Sequence, residues 1–346
     1  MKLEEIKYCP CTLAEGFSSY SPSALRNMFY GKKVSHILDF EAPEINEEVA
    51  EMFRQNSKII SVSGAQFKQS LLLDKNKLRL TQSGERGQFI LKPVPFRPPF
   101  GKAEELPANE HLTMQIARQV YGITTAECAL IFFNNGEPAY LTKRFDVNND
   151  GSKTAQEDFA SLSEKSKNSY GENYRSSGSY EDIARLMKKF IAAYNVEAEK
   201  YFERIVFNYL FSNGDAHLKN FSLQQTNAGD YLLSPAYDLI DTSIHIPSDT
   251  FFALLDGLFS DNYETESFKT CGYYTYDDFY EFGIKIGLMQ TRMVKLLDKF
   301  RIGNDKVKVL VQHSFLSDAV KELFLNHYFD RKKMLNTSYS GKLSIK

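Results

Sequence analysis

With 346 residues, the chain is long enough for one large domain or for two lobes that share a cleft, each with its own core. Hydrophobic residues make up 42% and charged residues 25%, which excludes a disordered chain, and a formal charge of −2 argues against a dominant basic face for nucleic acid. No apolar run reaches membrane-spanning length, the start lacks a signal-peptide core, and four irregularly spaced cysteines (Cys9, Cys11, Cys128, Cys271) suit a reducing cytoplasm.

Taken in chain order, residues 1–56 open with turn-rich sequence and then predict a helix over 45–55. A short strand over 59–62, the turn Ser63-Gly64-Ala65-Gln66 and a return strand over 69–73 follow. Further strands are expected over 78–80 and 88–91, the second running into Lys92-Pro93. Pro93, Pro95, Pro98 and Pro99 mark a loop, because proline cannot donate to a strand ladder. Leu112, Ile116, Ala117 and Val120 recur at helical spacing and predict a helix over 108–121. Strands over 129–133 and 139–144 flank Asn134-Asn135-Gly136, a strong hairpin signal.

Composition shifts at 147–180 to Asn, Asp, Ser, Gly and Lys, which reads as a long polar hinge loop, mobile at its centre. Beyond it, helices are expected over 180–194, 198–213, 277–287, 290–300 and 306–330, with short strands at 221–224 and 231–234. The tail 331–346 is polar and basic and is expected to fray. The organisation is α+β and bilobal: a β-rich lobe over 1–146, a hinge over 147–180 and a helical lobe over 181–330.

Phosphoryl transfer needs a lysine on the phosphates, acidic and amide oxygens on Mg²⁺, and a carboxylate that orients the attacking hydroxyl. Protein kinases carry these parts in a fixed order along the chain. Here the turn at 63–66 stands for the phosphate loop, Lys92 for the strand lysine and Glu110 for the helix glutamate. Asp215 and Asn220 have the D-x4-N spacing, and Asp238 follows on the far side of a two-strand hairpin. Each sign is weak alone, since D-x4-N arises by chance roughly once in a chain of this length. Lys92 by itself reads as a solvated strand end and Glu110 as a first-turn acid favoured by the helix dipole. Their joint order carries the argument. His217 reads as a residue that packs and hydrogen-bonds to hold the loop rather than as a metal ligand. The remaining histidines (His36, His111, His245, His313, His327) are isolated, and Cys9-Pro10-Cys11 has no second pair at zinc-ribbon spacing.

At these residues the chain resembles the HipA family of toxin kinases. Ser61-Val62-Ser63-Gly64-Ala65-Gln66-Phe67-Lys68 resembles its phosphate loop, Phe89-Ile90-Leu91-Lys92-Pro93 its ATP-lysine strand and Asn109-Glu110-His111 its helix start. Arg144-Phe145-Asp146, Gln156-Glu157-Asp158, the segment from Gly214 to Phe221 and Pro235-Ala236-Tyr237-Asp238 match further signatures, so the likeness spans about 57–330. The resemblance implies a bilobal protein-kinase-like fold and serine/threonine protein kinase activity with ATP and Mg²⁺. It implies Asp215 as catalytic aspartate, Asn220 and Asp238 as Mg²⁺ ligands, and Lys92 on ATP with Glu110 as its partner. Lys143, Arg144 and Phe145 would lie near the adenine, and Lys68, His217 and Lys219 would also line the ATP site. Ser61 and Ser63 would be inhibitory autophosphorylation sites, since a dianion beside ATP repels it.

Only about 56 residues precede the loop, and Cys9, Tyr20-Ser21, Leu25 and Ile37-Leu38 resemble the HipT branch, in which an amino-terminal subdomain is a separate small protein. That implies such a HipS-like partner, a helix-turn-helix antitoxin, DNA contact only through the antitoxin, and an aminoacyl-tRNA synthetase as substrate. Two alternatives stay open: a kinase-fold phosphotransferase acting on a small molecule, and a non-catalytic module that represses DNA with a partner. The Gln156-Glu157-Asp158 and Ser63-Gly64-Ala65-Gln66 matches weigh against the first. Intact Lys92, Asp215, Asn220 and Asp238, and the lack of positive charge, weigh against the second.

Overall fold

Along the first lobe Leu71, Phe89, Leu91, Ala129, Ile131 and Leu141 sit at every second position, so pleating turns them to one face and into one core. The computed structural model describes residues 6–42, 67–96, 100–148, 150–247 and 250–341. The expected helix over 45–55, strand over 59–62 and turn over 63–66 lie outside them.

Helix α1 (Pro22–Phe29) starts at Ser21, whose hydroxyl accepts from the Ala24 amide at 3.2 Å, with Pro22 in the first turn where no amide is needed. It buries Ala24, Met28 and Phe29 in the sheet's core. Strands β1 (Gln69–Asp74), β2 (Lys77–Leu80) and β3 (Phe89–Pro93) precede helix α2 (Leu106–Gln119), and β4 (Cys128–Phe132) and β5 (Pro138–Lys143) follow it. The antiparallel sheet runs β2-β1-β3-β5-β4, and α2 packs on β4 and β5. Helix α2 begins two residues before the predicted start, because Pro107 is tolerated in a first turn.

The second lobe follows with β6 (Gln156–Asp158), α3 (Phe159–Leu162), α4 (Lys167–Tyr170), a 3₁₀ turn (Glu172–Ser176), α5 (Tyr180–Phe190) and α6 (Tyr194–Leu210). Then come β7 (Ser222–Gln225), β8 (Tyr231–Leu233), α7 (Glu266–Cys271), α8 (Tyr276–Lys285), α9 (Gln290–Ile302), α10 (Lys306–His313) and α11 (Asp318–Leu335). Its core is aromatic: Tyr201, Phe202, Phe207, Tyr209 and Phe211 of α6 and its end meet Phe279, Phe282 and Phe300.

Three expectations need correction. Residues 147–180 are not a structureless loop: β6 pairs antiparallel with β7, and short helices follow. The serines and aspartates that read as loop act as helix caps at Asp158, Ser166 and Ser179. The helix expected over 306–330 is two, broken where the Ser314 hydroxyl turns back to the Val311 carbonyl at 2.6 Å. The tail does not fray from Arg331. Helix α11 runs to Leu335, and beyond it the Tyr339 and Ser340 amides and the Ser338 hydroxyl donate to the Asp277 carboxylate at 2.8–3.0 Å.

Candidate active site

Strand pleating sends Leu91 into the sheet core and its neighbour Lys92 to the opposite side, toward α2. The Lys92 ammonium lies 2.7 Å from Glu110 Oε1 on α2 and 2.6 Å from Asp238 Oδ1, with only 4% of the side chain exposed. A buried cation would be costly unpaired, so its two carboxylates are a condition of its burial. Burial pulls the Lys92 pKa down, and Asp238 and Glu110 together more than reverse it, leaving it raised. The Lys68 charge acts on the same two acids. Burial works to raise the Asp238 pKa, but the Lys92 charge holds it well below the usual range. Burial pushes Glu110 up to about 7, Asp238 adding to the rise and Lys92 opposing it.

This gives a pH dependence with a definite sign. The folded pKa of Glu110 stands above its ordinary 4.5, so its stability contribution is complete below pH 4.5 and fades as pH rises through about 7. Melting curves of Glu110→Gln and the natural protein should therefore diverge across that window, the natural protein gaining relative stability as pH falls. A difference that stays constant with pH contradicts the assignment.

Asp238 has a left-handed backbone, φ 55°, as does Ser212, φ 50°, just past α6. Strained positions of this kind persist only where their surroundings hold them. Here the Thr242 hydroxyl donates to the Ser212 carbonyl at 2.9 Å and accepts from the Gly214 amide at 2.8 Å, tying the two segments together. The fully buried Asn109 amide side chain clasps Asp241 through its carbonyl at 2.8 Å and its amide at 3.2 Å. His327 of α11 donates from Nδ1 to the Asp241 carboxylate at 2.8 Å. The helix that carries Glu110 and the segment that carries Asp238 are thereby fixed to one another.

Asp215 follows the stop of α6 at Asn213-Gly214 and is largely buried. Its amide meets Asn213 Oδ1 at 3.3 Å, and the turns His217 N to Asp215 O and Asn220 N to His217 O, 2.8 and 2.9 Å, shape the loop to Asn220. The hydrogen bonds expected from the His217 side chain are not made: among the described residues neither ring nitrogen has a hydrogen-bond partner, and the Asp215 carboxylate stands 3.9 Å away. Burial, against the pull of Asp215, lowers the His217 pKa and favours the neutral ring. Backbone turns and Thr242 hold the loop in its place.

Between the lobes lies a cleft of about 700 Å³. Its walls include Lys68, Lys92, His217, Asn220 and Asp238, together with Arg144 and Phe145. Phe145 packs on Tyr237 with ring centroids 5.7 Å apart and planes tilted by 33°, both on the cavity wall. Lys143 reaches this wall, but its ammonium sits 3.7 Å over the Tyr30 ring and donates to Asn27 O at 3.1 Å. Lys219 is 2.5 Å from Asp158. The Asp215 carboxylate stands 3.9 Å from the ring of His217, a wall residue. Ser61, Ser63, Gly64, Ala65 and Gln66 lie outside the described residues.

Wall residues that were not among the sequence's candidates include Lys153, Arg175 and Tyr237. Tyr237 stood within a quoted motif, whereas Lys153 and Arg175 fall in the polar stretch read as a loop.

The residues fit a magnesium nucleotide. Asn220 and the Asp238 carboxylate share the wall and offer the oxygens that magnesium takes, while the Asn220 side-chain nitrogen, unpartnered among the described residues, is free to donate to a phosphate oxygen. No group of three or more His, Cys, Asp or Glu among the described residues is placed to hold a metal ion. Magnesium at a nucleotide needs only one or two protein ligands beside the phosphates.

A five-stranded sheet over a helical lobe, with a lysine–glutamate–aspartate cluster at the cleft between them, defines a protein-kinase-like fold. The sequence matches the HipA-like C-terminal domain over residues 60–307, and the chain belongs to that family. It is 29% identical over 339 residues to a Haemophilus influenzae protein named "Putative kinase", covering 94% of this chain and 95% of that one. A Sinorhizobium fredii protein with a similar name is 30% identical over 228 residues, 62% of this chain and 53% of its own. The fold superposes on a chain of the Shewanella oneidensis HipA–HipB–operator DNA complex with a TM-score of 0.60 at 18% identity, covering 85% of this chain and 72% of that one.

Proposed function

We propose that the protein is an ATP-dependent serine/threonine protein kinase acting as the toxin of a HipBA- or HipBST-like system. The buried Lys92–Glu110–Asp238 cluster on the wall of a nucleotide-sized cleft carries this reading. Lys92, poised by Glu110, holds phosphate oxygens, and Phe145 with Tyr237 flanks the base. Asn220 and Asp238 hold Mg²⁺, which offsets phosphate charge when bound. Asp215 orients the acceptor hydroxyl and takes its proton. The hydroxyl oxygen forms the new bond to the γ-phosphorus, the bridging P–O bond breaks, and ADP leaves.

The substrate in this reading is a protein, an aminoacyl-tRNA synthetase, whose phosphorylation halts translation. The solved complex with HipB and operator DNA supports a DNA-binding antitoxin as partner, and the HipT-like amino-terminal pattern supports a separate HipS-like protein. Self-phosphorylation at Ser61 or Ser63 would shut the site, because a dianion there competes with nucleotide phosphate. Phosphopeptide mass spectrometry of protein incubated with Mg²⁺ and ATP should find phosphate on Ser61 or Ser63. Phosphate confined to other residues would remove the loop switch.

A further inference from the structure

The carboxylates of the cleft wall are matched to cations: Asp238 to Lys92, Asp146 to Arg144 and Asp158 to Lys219, each at 2.5–2.6 Å. Of the two arginines on this wall, Arg144 is so paired and Arg175 is not. It lines the same cleft as His217 and Asn220, and no carboxylate among the described residues lies within 4.0 Å of its guanidinium. An arginine facing a cleft without an acid beside it is a receptor for an anion that arrives with a ligand.

Its placement is built rather than loose. The 3₁₀ turn Glu172–Ser176 packs against the turn Leu218–Asn220, the end of the Asp215 loop. On its far side the Leu255 amide donates to Ser176 O and Lys165 Nζ to Ser177 O, both at 2.8 Å. Arg175 Nε donates to the Tyr174 hydroxyl at 3.2 Å, which steers the planar fork. The Arg175 charge also adds to the burial that keeps His217 neutral.

Resting on the kinase reading above, we infer that Arg175 is a catalytic residue that grips the phosphoryl group as it passes from nucleotide to acceptor. Lys92 and Asp238 sit where the nucleotide phosphates start, and Arg175 sits over the loop that carries Asp215. Charge on the three peripheral oxygens of the moving phosphoryl group is what a planar guanidinium placed there would stabilise. An acidic side chain of the protein substrate could supply the same anionic chemistry, and the test separates the two.

The purified chain with Mg²⁺, ADP and aluminium fluoride should form a slowly dissociating complex, since the fluoride mimics the phosphoryl group in flight. Arg175→Ala should weaken that trapping by roughly 10²–10³-fold while ADP affinity stays within about twofold, with Arg175→Lys recovering only part. Phosphate transfer from ATP should fall by a similar factor. Trapping by Arg175→Ala equal to that of the natural protein overturns the inference, including the case where only transfer to a protein substrate slows, which assigns Arg175 to the substrate instead. A parallel loss of ADP affinity overturns it too, by making the residue structural. If the natural protein itself transfers no phosphate, the kinase reading falls and takes this inference with it; if it does, only Arg175 is at stake.

Discussion

Lys92→Met should destabilise the protein by about 3 kcal/mol or more and abolish phosphate transfer. The substitution keeps the volume and the apolar stem but leaves two carboxylates facing a site from which their cation has gone. Glu110 can relieve part of the cost by taking up a proton, since burial already holds its pKa near 7. The loss in denaturant or thermal melts should therefore be smaller at acid pH than at alkaline pH. The double variant Lys92→Met with Glu110→Gln should recover part of the stability and none of the transfer, because the coupling in stability is pairwise while the phosphate contact is not restored. A stable, pH-insensitive Lys92→Met would show that the cluster is not the buried ion pair described.

Asp215→Gln should leave the fold and nucleotide binding nearly unchanged and lower phosphate transfer by at least about 10³-fold. Its side chain is largely buried, and its loop is shaped by backbone turns and by Thr242, which the substitution leaves in place. The amide cannot take the acceptor's proton. Growth arrest on expression should be relieved in parallel.

The order Lys92, Glu110, Asp215, Asn220 and Asp238 was legible because each residue sits on an element with a clear local signature. What the sequence could not show was their meeting. The contact of Lys92 with Asp238 spans 146 positions, and no periodicity encodes it. The pairing of β6 with β7 is equally non-local, which is why Gln156–Asp158 read as loop and why Asp158 was not matched to Lys219. Arg175 was missed because a polar, glycine- and serine-rich stretch looks alike whether it is mobile or capped into short helices. The brace through Asn109, Asp241 and His327 was invisible for the same reason as the Lys92 cluster: three distant elements supply it. Of the role given to His217, the packing is present and the hydrogen bonds are not, since residue type alone does not say whether a buried ring finds a partner.

The central claim is that this cleft moves the γ-phosphate of ATP, and γ-³²P-labelled ATP tests it most directly. Purified natural protein with Mg²⁺ should place label on itself or on added bacterial protein, and Asp215→Gln, matched for folding and ADP affinity, should place none. Transfer that persists in Asp215→Gln, or a natural protein that binds ATP and never moves label, would contradict the account.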